Sequence, residues 1–221
     1  MSTRRGAAPD RTGRRGRLSR RGWEQWSSLA GQRLPWSSGL RPPAVVLVAA
    51  LVTIGLLDVV ASLRTWPTIV VGLLDWPAHL LTAWLFLAAL GFRLSTRVQA
   101  WALLGAIAID ADHVPLYLHW HLIPAPDGRP VTHSLGTVVL LLAVATVPRL
   151  RAPAAGLALG LLLHLSRDLV TGPGVTVGWP VSEMGVRLPY PVYVAALVVV
   201  TAVAVLVGHR RRAPSGSNAA P

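Results

Sequence analysis

Long apolar stretches alternate with short polar clusters along most of this chain. Six of the stretches are close to membrane-spanning length: about Pro43–Leu63, Trp76–Phe92, Val98–Leu118, Val131–Val147, Pro153–Val170 and Pro191–Gly208. A helix needs about 20 predominantly apolar residues to cross a bilayer core. The third stretch differs from the rest, because its purely apolar part stops at Ile109. Roughly twelve helical residues reach only about 18 Å. This helix is therefore expected to continue with a polar end, inside the bundle or at the surface. The pattern predicts an all-α integral membrane bundle of about six transmembrane segments.

Composition strengthens that reading. The chain is 52% hydrophobic and only 14% charged, which is too apolar for an average soluble domain. Cysteine is absent, which excludes a disulfide framework and a thiolate metal site. Any metal must then be held by His, Asp or Glu, a donor set that suits zinc, manganese or iron.

Charge orients the bundle. Residues 1–42 carry ten of the 21 basic residues, all of them Arg. Such a tail can bind nucleic acid or anionic lipid. Next to a membrane span it reads as a disordered, cytoplasm-retained tail that sets orientation, and nucleic acid is not the expected partner. No cleavable signal peptide is expected, because the charged region is long and no small-x-small site follows the apolar run. With this end cytoplasmic, Arg93, Arg97, Arg149, Arg151, Arg210, Arg211 and Arg212 all fall on the same side, seventeen basic residues in total. Arg64, Arg129, Arg167 and Arg187 remain outside or near the outer ends. The expected organisation is a tail over 1–42, a membrane domain over 43–208 and a second cytoplasmic tail over 209–221.

The polar residues take on meaning once they are placed on this topology. Asp75 and His79 open the second segment at its outer end. Asp110, Asp112 and His113 close the third there, His133 opens the fourth, and His164 and Asp168 close the fifth. Residues distant in sequence are thus expected to meet at one depth. Asp75 with His79 and His164 with Asp168 are spaced i, i+4, and Asp110 with His113 is spaced i, i+3, so each pair can share a helix face. Ionisable groups at membrane depth are costly and mark a working site.

Imidazole nitrogen and carboxylate oxygen are zinc ligands, and a bound divalent metal lowers the pKa of water towards about 7. His79, Asp110, Asp112, His113, His133, His164 and Asp168 are the candidate ligands. They outnumber the needs of one tetrahedral ion, so either more than one ion binds or some of them orient the others. The expectation is roughly one to three ions, zinc first. Arg129 and Arg167 beside this cluster can grip a phosphate bidentately, although Arg167 can instead pair with Asp168 or reach to the interface. Asp75 can cap the second helix or support the site. Asp58 can support the site, pair with Arg64 or make a polar bundle contact, and is left out of it. His119 and His121 follow Pro115 and are assigned to an interfacial belt, and His209 to the C-terminal tail.

Three elements, DADH, GRPVTHS and HLSRDLVTGPGVTVGWP, resemble the bacterial membrane-bound metal-dependent hydrolase family, whose members are often described as LexA-regulated inner-membrane hydrolases. That family shows D-x-D-H, then R-G-x-T-H-S, then H-x-x-x-D-x-x-T-x-x-G followed by Trp-Pro. Here these fall on Asp110, Asp112 and His113; on Arg129, Thr132, His133 and Ser134; and on His164, Asp168, Thr171 and Gly174, with Trp179 and Pro180 after them. An upstream family histidine corresponds to His79. The chain departs from the pattern at Pro130, where Gly usually follows the Arg; proline fixes φ and changes the loop.

The family is distantly similar to zinc-dependent phospholipase C and to single-strand nucleases. The resemblance therefore implies hydrolysis of a phosphate ester, in a small molecule or a lipid, at the extracytoplasmic face of the bacterial inner membrane. Asp110 would serve as ligand or general base. A transporter, or a proton or metal relay built on the same His/Asp cluster, is the alternative.

Overall fold

The computed structural model describes residues 42–90, 94–118, 120, 124–125, 129–172 and 174–210. The arginine-rich segment up to residue 41, His119, His121 and the tail beyond residue 210 lie outside the described residues. Within them the architecture is helical: α1 (Ala44–Ser62), α2 (Thr68–Leu90), α3 (Thr96–Ala108), a 3-10 turn (Ile109–Asp112), α4 (His113–Tyr117), α5 (Leu135–Val144), α6 (Arg151–Asp168) and α7 (Tyr190–Arg210). An isolated bridge pairs Val175 with Val186 in the connection between α6 and α7.

The predicted segments all correspond to helices, but three of them differ in a way that matters. Among the described residues three helices are long and apolar enough to cross a membrane, Ala44–Ser62, Ile69–Leu90 and Tyr190–His209, rather than six. Helix α3 has 13 residues and α5 has ten, which at 1.5 Å per residue gives about 20 and 15 Å. Helix α6 has 18 residues but carries Arg151, Arg167 and Asp168, and it is the most enclosed of the set. The second segment starts at Thr68 rather than Trp76. Asp75 and His79 therefore lie within α2, not at its opening, so Asp75 does not cap it.

The third segment is not one helix to Leu118. It tightens into the 3-10 turn at Ile109 and restarts at His113. The fourth starts at Leu135 behind Ser134, whose side chain caps it by accepting from the Thr137 N–H at 3.4 Å.

Two kinds of packing hold the bundle. Helices α1, α2 and α7 meet over Leu47, Ile54, Leu85, Ala89, Tyr193 and Leu197. Their other faces leave large apolar side chains exposed, among them Val45, Val52, Leu73, Val198 and Val199, which suits helices whose solvent is lipid. Helices α3 and α6 meet through small residues instead. A methyl group built on Gly160 would sit 2.2 Å from the Ala102 carbonyl oxygen, so the two backbones touch where Gly160 lies. Gly156 and Gly160 form the G-x-x-x-G spacing that lets membrane helices approach closely. Ala83, Leu87, Ala102, Ala106 and Leu163 fill the space beside this contact.

The α6–α7 connection folds back over the bundle. Gly174 has φ +97, the left-handed region that favours glycine. The Leu135 N–H donates to the Val177 carbonyl at 3.0 Å, which ties this connection to the start of α5.

Candidate metal centre

Helices α2, α3, α5 and α6 deliver their polar residues to one place. Around it lie His79 from α2, Asp110 and Asp112 from the 3-10 turn, His113 from the start of α4, His133 just before α5, and His164 and Asp168 from α6. His79, His133, His164 and Asp168 are fully buried, and Asp110, Asp112 and His113 nearly so.

The close α3–α6 contact positions the innermost imidazole. His164 Nδ1 lies 2.8 Å from the Ala106 carbonyl oxygen. A carbonyl only accepts, so Nδ1 carries a proton and donates it there, and Nε2 is the nitrogen turned to the cluster. Nε2 faces Asp168 Oδ2 at 3.0 Å and Asp110 Oδ1 at 3.4 Å, and makes no hydrogen bond. Two carboxylates converging on one buried nitrogen concentrate negative charge that a cation between them would offset.

The remaining residues extend this arrangement. Two sets of three present donor atoms within 4.8 Å of one another: His79, His164 and Asp168; and Asp110, His113 and His133. They abut through Asp110, whose Oδ1 is 3.4 Å from both His133 Nε2 and His164 Nε2. The His79 and His164 rings stack at 3.8 Å and 9°. Asp112 stands behind the second set. Its Oδ1 is 3.0 Å from His113 Nδ1, its Oδ2 is 3.3 Å from His133 Nδ1, and it accepts from the Thr132 hydroxyl. Such an outer carboxylate fixes the rotation of the imidazoles. All seven candidate ligands thus converge, with Asp112 in an orienting position.

The two arginines have partners of their own. Arg129 pairs with Asp168. Arg167 turns to Asp75 and Asp58 rather than to Asp168. Its Nε donates to Asp75 Oδ1 at 3.0 Å, an Nη donates to Asp58 Oδ1 at 2.6 Å, and the group is buried. The expectation that Arg167 holds a substrate anion, and its alternatives of pairing with Asp168 or reaching to the interface, give way to this buried double pairing.

Sequence alone leaves Asp58 out of the site, yet through Arg167 it supports the residues around it. It accepts from Tyr190 at 2.6 Å and does not pair with Arg64, which lies 3.8 Å over the Trp66 ring. The signal that would have found it is an aspartate inside an otherwise apolar membrane helix. His209 is exposed and bonds the Val205 carbonyl at 3.0 Å, remote from the cluster.

Charge completes the description. Asp58, Asp75, Asp110, Asp112 and Asp168 face Arg129 and Arg167, an excess of three negative charges when the imidazoles are neutral. One divalent cation leaves an excess of one negative charge, and two leave one positive. The nitrogen and oxygen donor set, free of thiolate, fits zinc and its neighbours.

No curated protein and no solved structure matches the chain. A family model described as YdjM inner membrane protein matches residues 74–220, which is two-thirds of the sequence and contains every candidate ligand. The chain, with its apolar helices and the cluster they enclose, belongs to the YdjM inner membrane protein family.

Proposed function

We propose that this protein is a metal-dependent hydrolase acting on a phosphate ester, in a small molecule or a lipid, at the extracytoplasmic face of the membrane. One observation carries the metal reading: the buried Nε2 of His164, whose Nδ1 donates to Ala106, makes no hydrogen bond and faces two carboxylates, at 3.0 and 3.4 Å. His79, His164 and Asp168 would hold one ion, and Asp110, His113 and His133 a second, with Asp112 orienting His113 and His133. A divalent ion, zinc first, supplies a Lewis acid and lowers the pKa of water towards about 7. Asp110, which touches both sets, is placed to take a proton from water. Arg129, at the edge of the cluster on Asp168, is the cation nearest to hand for a substrate phosphate.

The transporter reading requires a polar path through the bundle. From the cluster inward, α2, α3 and α6 are instead packed through Ala83, Ala102, Ala106 and Gly160, with backbones in contact. That packing supports the hydrolase. The positive-inside distribution of arginine supports the outward-facing site. The test is hydrolysis of a panel of phosphomonoesters, phosphodiesters and phospholipids by the purified chain with zinc or manganese. Metal-dependent turnover that Asp110→Asn abolishes is expected. Metal flux into proteoliposomes without hydrolysis of any ester would overturn the reading in favour of transport.

A further inference from the structure

Helix α1 lies outside the residues that match the family, which begin at residue 74. It nonetheless sends Asp58 into the support of the cluster. From the surface inward, Tyr190 on α7 donates to Asp58 Oδ2 at 2.6 Å, and Arg167 on α6 donates to Asp58 Oδ1 at 2.6 Å. Arg167 also donates to Asp75 Oδ1 at 3.0 Å, and Asp75 Oδ2 lies 3.2 Å from His79 Nε2. The Arg167 guanidinium is further held at 3.4 Å from the Tyr193 hydroxyl. Four helices are thus joined by one continuous chain of charged hydrogen bonds that ends on an imidazole of the cluster.

We propose that Asp58 is a positioning residue for the metal centre, acting through Arg167 and Asp75 on His79. This rests on the metal-centre reading above and adds a contributor that the family-matched region does not contain. The physical reason lies in competition for Asp75. An ionised carboxylate only accepts, so His79 Nε2 is the donor in that pair. Nδ1 is buried and without a hydrogen bond, while Nε2 also lies 3.4 Å from Asp168 Oδ1, so Asp75 is the nearer of its two carboxylates. Asp75 can hold the ring this way only while its other oxygen satisfies part of Arg167. A buried guanidinium needs compensation, and Asp58 makes the shorter of its two carboxylate contacts, 2.6 against 3.0 Å. Without Asp58, Arg167 has Asp75 as its sole carboxylate partner among the described residues. Both oxygens of Asp75 are then drawn to the guanidinium, and His79 loses the nearer of the two carboxylates that set its rotation. Loss of such an outer carboxylate typically weakens metal binding 10–100-fold.

The experiment measures zinc affinity of the full-length purified chain by competition with a chromophoric chelator, alongside thermal unfolding. Four variants are compared with wild type: Asp58→Asn, Asp58→Glu, Tyr190→Phe and Ile54→Ala. Asp58→Asn is expected to weaken zinc binding roughly 10–100-fold. Asp58→Glu should recover part of that loss. Tyr190→Phe, which removes one donor to Asp58, should weaken binding by roughly two- to tenfold and reads the same chain if Asp58→Asn does not fold. Ile54→Ala empties a buried position one turn away on α1 and should lower the melting temperature with zinc affinity within about threefold of wild type.

Wild-type affinity in both Asp58→Asn and Tyr190→Phe overturns the positioning role and leaves the metal centre standing. So does a loss in Ile54→Ala equal to that in Asp58→Asn. A wild-type chain that binds no zinc overturns both.

Discussion

Replacing Gly160 by alanine puts one methyl group between α3 and α6, and the structure gives the size of the effect. The added carbon would lie 2.2 Å from Ala102 O, 2.8 Å from Ala106 N and 2.9 Å from Gly105 C, all of them backbone atoms. Ordinary contact needs about 3.5 Å, so the helices must separate by about an ångström. Overpacking of this kind costs about 1–3 kcal/mol. Separation also stretches the 2.8 Å bond from His164 Nδ1 to Ala106 O, worth about 1 kcal/mol. Alanine returns up to about 1 kcal/mol of helix propensity. The net is a destabilisation of about 1–3 kcal/mol.

For a chain of this length that lowers the melting temperature by roughly 3–10 °C. The local consequence is larger than the global one, because Ala106 O fixes the tautomer of His164. The assay is thermal unfolding of purified protein with zinc analysis of the same samples, using Gly72→Ala as the control. Gly72 lies within α2 with nothing within 4 Å of its added methyl. Gly160→Ala should lose both stability and zinc, and Gly72→Ala neither. A Gly160→Ala protein with wild-type melting temperature and zinc content would refute the claim that helix contact sets the site.

Other consequences are as specific. Chelation should lower the melting temperature and zinc should restore it, because removing cations leaves a buried excess of negative charge; a melting temperature indifferent to chelator contradicts this. Ser134→Ala removes the cap of α5, at a cost of about 1 kcal/mol. It should also reduce zinc binding through the adjacent His133, measured by the same titration. Gly174→Ala forces a side chain to φ +97 and within 2.8 Å of Val186 O, so it should destabilise by about 2 kcal/mol in thermal melts. Alanine at His209, which is exposed and outside the cluster, should leave zinc content and stability unchanged.

The sequence carried the helices and the meeting of the ligands, because apolar periodicity and i, i+4 spacing are local properties. It placed His79, His133, His164 and Asp168 together through topology alone. It did not separate spanning helices from enclosed ones, since an apolar run reads alike whether lipid or protein surrounds it. The short α3 and the charged ends of α6 were the signals that these two helices pack against protein, whereas α5 is short yet buries only Val138. The G-x-x-x-G spacing of Gly156 and Gly160 could have announced the α3–α6 contact. The roles of Asp58 and Arg167 were not legible, because an ion pair separated by 109 residues depends on which way each helix is rotated. For Asp75 the sequence leaves a helix cap and a supporting role open, and the structure takes the second, because Arg167 compensates a carboxylate inside α2.

The account's central claim is that the buried His/Asp cluster holds divalent metal, and elemental analysis of the purified full-length protein tests it most directly. Wild type should retain zinc or a comparable transition metal in stoichiometric amount, and His164→Ala should lose at least the ion of the His79, His164 and Asp168 set while remaining folded. Wild-type protein free of metal and without measurable zinc affinity, or a His164→Ala protein with undiminished metal, would contradict the account.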